Sequence, residues 1–205
     1  MKKNLFIALE GIDGSGKSTQ VKFLTESLTK AGHKVYSTFE PTNSDTGKLI
    51  RAIFAHKTEA NHHTIAALFL ADRFHHLLNK RDGLLQKMEE GYTVITDRYY
   101  FSSYAYHSVH MSMDWVIEIN KPCADLLRPD LTVYIDIPPE VSMARITKAR
   151  ESAELYETLE NLTNVRNKYM EAFDILKTEE QVFITDGNQT PDLIADDISN
   201  RILLL

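Results

Sequence analysis

The sequence predicts an α/β fold, a five-stranded parallel sheet flanked by helices, on three observations. Short apolar runs at 5–9, 34–39, 92–96, 131–137 and 181–185 have the length and composition of buried strands. Each is followed by a loop and then by a longer segment of helical spacing, the alternation that builds crossover units with helices on both faces. A glycine-rich bend directly follows the first run and opens the first helical segment. No repeat, low-complexity tract or linker divides the 205 residues, so one domain over 1–205 is expected.

The run at 5–9 leads into Gly11-Ile12-Asp13-Gly14-Ser15-Gly16-Lys17-Ser18-Thr19, which fits the phosphate-loop pattern G-x-x-x-x-G-K-[ST]. Its glycines let backbone N–H groups converge on one anion, and the positive end of the following helix adds to that site. Lys17 supplies a mobile cation for the β- and γ-phosphates of a nucleotide, and Ser18 a hydroxyl suited to Mg2+. Asp13 is a poor neighbour for a triphosphate unless it has another task, either accepting from a substrate hydroxyl or assisting Mg2+.

Ligands of parallel sheets gather beyond the carboxyl ends of the strands, which gives weight to the residues after the other runs. Glu40-Pro41 reads either as a wall of an acceptor pocket or as a plain turn. The segment 62–79 carries an apolar helical face. Within it Phe69 and Arg73 stand four residues apart, so a ring and a guanidinium share one side, where they can stack on a flat base and bond its edge. Asp97, directly after the third run, suits water-mediated support of Mg2+, and Arg98 beside it offers a planar fork for an acceptor phosphate. Arg145, Lys148 and Arg150 place three cations in six residues ahead of a polar stretch, so 148–161 reads as a flap that closes over ligand. Cations that arrive on closure stabilise the charge of a transferring phosphoryl group.

The net charge of −6 argues against a dedicated nucleic-acid binder, so phosphate binding is expected to be local and the substrates small. A single cysteine, Cys123, excludes an internal disulfide and fits a reducing compartment. No apolar run reaches the length of a membrane span, and the start lacks the apolar core of a signal peptide. The expectation is a cytoplasmic protein with no membrane partner.

Stretches 10–19, 40–41, 68–73, 97–99 and 128–141 and the loop 186–189 together resemble the thymidylate kinase family, over nearly the whole length. The resemblance implies a three-layer P-loop NTPase fold, ATP and dTMP as substrates, Mg2+ as cofactor and a homodimer. It implies that Phe69 stacks on thymine, Arg73 binds its carbonyl edge and Ser103 faces the pyrimidine. Asp13 then meets the 3′-hydroxyl, Tyr106 crowds the 2′ position and Arg98 holds the monophosphate, with Glu40 and Pro41 on the acceptor side and Arg145 on the ATP side. Gly14 stands where some members carry a basic residue, which moves the catalytic cation to the flap, with Arg150 as the candidate beside Lys17 and Arg98. Phe39 stands where many members have arginine, leaving open where the acceptor phosphate gains an extra cation.

Three rival readings differ in chemistry. Asn120-Lys121-Pro122-Cys123 begins like a guanine-reading motif, but Cys123 removes the carboxylate that would pair with the base. A deoxynucleoside kinase needs a general base for a hydroxyl acceptor, whereas a monophosphate needs a clamp such as Arg98. A nucleotide sensor would bind without turnover.

Overall fold

The computed structural model describes residues 4–149 and 154–205. Its five strands, β1 (Phe6–Glu10), β2 (Val35–Phe39), β3 (Thr93–Asp97), β4 (Leu131–Asp136) and β5 (Val182–Asp186), each fall within two residues of an apolar run. They form one parallel sheet in the order β2-β3-β1-β4-β5, with Ile7 beside both Ile95 and Leu131.

Central β1 is buried along its length, and its pleat sends alternate residues to two different cores. Leu5, Ile7 and Leu9 join Ile95, Val133 and Ile135 under α1 (Lys17–Lys30) and α9 (Pro191–Ile202). Phe6 and Ala8 face the larger core, filled from α2 (Asp45–Phe54), α3 (His62–Leu78), α5 (Tyr100–His107), α6 (Met113–Leu126) and α8 (Leu159–Ile175). Side-chain caps set three of these helix starts. The Ser44, Asn61 and Thr158 oxygens accept from Gly47 N (3.0 Å), Thr64 N (2.8 Å) and Asn161 N (3.2 Å). Short α4 (Leu84–Glu89) leads into β3, and α7 (Pro139–Ala149) follows β4.

The 120–123 stretch, already set aside as a guanine reader for want of a carboxylate at Cys123, lies inside α6 with Asn120 and Cys123 buried. Of the flap expected at 148–161, Lys148 lies in the last turn of α7, 150–153 lie outside the described residues and 159–161 begin α8. Arg150 lies outside the described residues.

Candidate active site

At the carboxyl edge of the sheet the chain turns from β1 into α1 through the phosphate loop. Gly11 has φ of +148°, and a Cβ there would lie 2.6 Å from Ser15 Oγ and 2.8 Å from the Ile135 carbonyl, so only glycine fits the bend. Gly16, the N-cap of α1, has φ of +100° and delivers Lys17 and Ser18 to the first helical turn. The Lys17 ammonium donates to the carbonyls of Gly11 and Ile12, both at 3.1 Å. Burial, reinforced by the nearby Arg98 charge, pushes its pKa down to about 8.

The Ser18 hydroxyl donates to Asp97 Oδ2 at 2.7 Å, joining the first turn of α1 to the end of β3. One hydroxyl and one carboxylate are hard oxygen donors of the kind Mg2+ takes when substrate phosphates complete its shell. Among the described residues no group of three or more His, Cys, Asp or Glu side chains forms a metal cage. That set therefore fits a metal arriving with a nucleotide.

Arg98 is held in the left-handed backbone region at φ 73°, a conformation costing a non-glycine residue about 1–3 kcal/mol. Its N–H donates to the Leu9 carbonyl (2.9 Å), and its guanidinium spreads between the phosphate loop and α5. It donates to Asp13 Oδ1 (2.7 Å), Gly11 O (3.0 Å), Ser102 Oγ (3.0 Å) and the Tyr106 hydroxyl (3.2 Å). Tyr106 in turn donates to Asp13 Oδ2 at 2.8 Å. Burial alone would raise the Asp13 carboxyl, but the Arg98 and Lys17 charges outweigh it and hold the pKa below the ordinary aspartate value.

Two cavities meet at this arginine. A wide cleft is lined by Gly14, Gly16, Lys17, Ser18, Thr19, Asp97 and Arg145. A smaller pocket is lined by Pro41, Phe69, Ser103, Tyr106 and His107, and Asp13 and Arg98 border both. Arg145 bridges the phosphate loop and the β5–α9 turn, donating to Gly14 O (3.2 Å) and Gly187 O (3.1 Å).

Phe69 and Arg73 share a helix face but not a role. Phe69 lines the smaller pocket, 5.2 Å from the His107 ring, whereas Arg73 is 1% exposed behind its wall. Arg73 donates from Nε to Glu40 Oε2 (2.9 Å), with Nη2 2.8 Å from the same oxygen in an ion pair, and it also donates to Ser103 Oγ (3.0 Å), to Asn120 Oδ1 and to the Tyr99 carbonyl (3.1 Å). All three of its guanidinium nitrogens are thus engaged within the protein. Glu40 is buried against Arg73 and His76 rather than in the smaller pocket, while Pro41, after a cis peptide bond, lines that pocket.

Several residues here were assigned no role from the sequence. Glu10 is fully buried and receives Tyr99 N (2.9 Å), Ser102 Oγ (2.6 Å) and the Tyr169 hydroxyl (2.8 Å), which pins the start of α5 to β1. A charge ending an otherwise apolar strand was the available hint. His107 is buried with neither ring nitrogen hydrogen-bonded among the described residues, and burial, with the Arg73 charge, pushes its pKa down to about 3. It is a neutral imidazole in the pocket wall. Arg51 donates from Nη1 to the Pro41 carbonyl (2.7 Å), beside the same wall.

The family model described as Thymidylate kinase matches residues 9–198. A probable thymidylate kinase of Methanosphaera stadtmanae is 37% identical over 205 residues, covering 97% of each chain. The thymidylate kinase of Leptospira borgpetersenii is 35% identical over 198 residues, covering 96% of this chain and 92% of its own. A probable thymidylate kinase of Pyrobaculum aerophilum is 37% identical, covering 96% and 95%.

Proposed function

The chain belongs to the thymidylate kinase family, and on that premise we propose how its own residues carry out transfer of the γ-phosphate of ATP to dTMP, giving dTDP. The observation that carries the assignment is the meeting of two cavities at Asp13 and Arg98. A donor in one and an acceptor in the other face each other across a single guanidinium.

ATP occupies the wide cleft. The N–H groups of 11–19 cradle its phosphates, Lys17 exchanges its two loop carbonyls for the β- and γ-oxygens, and Arg145 borders the nucleoside side. Ser18 and Asp97 would hold Mg2+, whose charge offsets that of the phosphates. The thymine of dTMP lies on Phe69. Ser103 already accepts from Arg73, so its own proton is free to donate to a base carbonyl, and Arg73 acts through that hydroxyl. Neutral His107 offers one donor and one acceptor to the same base edge.

Asp13 and Tyr106 take the sugar, the carboxylate at the 3′-hydroxyl and the ring against the 2′ carbon. Arg98 holds the acceptor phosphate, and Arg51, anchored on Pro41, is the second cation that Phe39 does not provide. Glu40 keeps the Arg73 charge in place. Arg150 on the flap meets the transferring phosphoryl group. We also assign the active protein a homodimeric state and a cytoplasmic location. No helix among the described residues is long and apolar enough to cross a membrane.

An ADP-release assay with ATP and Mg2+ across dTMP, dUMP, dCMP, GMP and thymidine tests this reading. Turnover should be highest with dTMP and absent with thymidine, which lacks the phosphate for Arg98. Faster turnover of thymidine or GMP would overturn it.

A further inference from the structure

Tyr156, in the wall of the smaller pocket, packs beside two stacked imidazoles, the three rings drawn from three separate segments. His62 opens α3 and His110 lies in the turn after α5, where its N–H donates to the His107 carbonyl at 2.9 Å. Their imidazoles stack with centroids 3.6 Å apart and planes 12° apart. Tyr156 lies beside the pair, its ring 5.7 Å from His110 and 6.1 Å from His62 and its hydroxyl 3.2 Å from His62 Nδ1. The buried Tyr156 ring also packs on Phe54 (5.3 Å) and Tyr106 (6.1 Å) and lines the pocket.

We propose that His62 and His110 are positioning residues, a stacked imidazole clasp that holds Tyr156 across the acceptor pocket and releases it when the pair takes up protons. The clasp rests on the reading of that pocket as the dTMP site. Two imidazoles in face contact cannot both carry charge without repulsion, so protonation of the pair works against the stack. Burial and the neighbouring His62 both lower the His110 pKa.

With the surrounding groups present the His110 pKa stays lowered, by burial first and by His62 second. His107, behind His110, is neutral by burial, and burial raises the Tyr156 hydroxyl to about 12, so both stay uncharged. Glu154 and Glu157 line the pocket from the Tyr156 segment, with Glu157 Oε2 accepting from Glu154 N at 2.7 Å. On the outer side His63 lies against Trp115. A depressed histidine pKa means that the clasped state binds fewer protons than the open one. Its stability is complete above the unperturbed histidine value of about 6.5 and declines as pH falls below it.

The test compares wild type with the His62→Phe/His110→Phe double variant, which keeps two flat rings and removes their titration. Thermal melts at neutral pH check folding. The acceptor phosphate itself titrates near pH 6, so every form shows some acid limb and the reading is the difference between the two proteins. Between about pH 7.5 and 5.5 the KM for dTMP should rise about fivefold more in wild type than in the double variant, with the KM for ATP and kcat at saturation moving together in both. In parallel, imidazole 15N titration of wild type should place His110 below the unperturbed value, and His62→Phe should raise it. Identical acid limbs in the two proteins, or a His110 that titrates at or above the unperturbed value, would overturn the clasp. A wild type inactive on dTMP at neutral pH would instead overturn the function reading, leaving the 15N titration to decide the clasp.

Discussion

The half of the cleft that we assign to the donor is a piece of backbone, and the half that we assign to the acceptor is a web of buried side chains. On the donor side, Gly11 to Thr19 follow one another along the chain, and their geometry is set by glycine φ values and a helix start. On the acceptor side, Arg73 is joined to partners 26, 30, 33 and 47 residues away, and the pocket wall in front of it is held by those bonds. A phosphate needs N–H groups at fixed spacing, which a local loop supplies. A base and sugar need shape and directional polar atoms, which only packed elements provide. Loss of one side chain should therefore silence chemistry on the first side and loosen structure on the second.

Glu40→Ala sets the largest effect. It strands the Arg73 cation in the core, and breaking a buried ion pair from one side costs about 3–5 kcal/mol. Denaturant unfolding should show that loss, with ATP affinity of the folded fraction unchanged. A stability near wild type would mean that the acceptor web is not held by this pair.

Lys17→Ala is the contrasting case. Turnover should fall about 10²–10³-fold, the scale of losing a preorganised charge on a developing anion, while the melting midpoint stays close to wild type. The same lysine gives a pH signature with two opposite signs. Its charge is lost as pH rises through about 8, so ATP affinity should decline there. An unfolded lysine keeps its proton to about pH 10.4, so between the two values the unfolded chain binds more protons, and this group's contribution to stability rises with pH. ATP affinity and stability falling together would place the titration elsewhere.

The smallest effects belong to the two residues proposed to contact the sugar. Asp13→Asn should narrow the preference for dTMP over its 3′-deoxy analogue, and Tyr106→Ala should admit the ribonucleotide better, each by about 1–3 kcal/mol. Kinetics on the three acceptors check both. An unchanged order of preference would put these residues off the sugar.

The same contrast governs what could be read from the sequence. The five strands and the phosphate loop were legible because each is a local pattern, an apolar run or a glycine spacing, and none depends on a distant partner. Asp97 and Arg98 were legible from their place after a strand. The pairing of Phe69 with Arg73 was half visible: their spacing gives a shared face, but the depth of Arg73 behind Ser103 depends on Glu40 and Asn120, which no local pattern connects to it. Tyr169 reads as one more apolar position of α8 until its hydroxyl is seen on Glu10. His107 reads as an ordinary helix end, and its unsatisfied nitrogens exist only in the packed fold.

Arg98 lies on the line between the two halves and separates them most directly. Steady-state kinetics of Arg98→Ala should be measured with ATP and dTMP varied independently. Removing one charge-assisted hydrogen bond costs about 1.5–3 kcal/mol, so kcat/KM for dTMP should fall at least about tenfold, with the KM for ATP within about twofold of wild type. An equal rise in both KM values would place Arg98 on the donor side and contradict the division of the cleft.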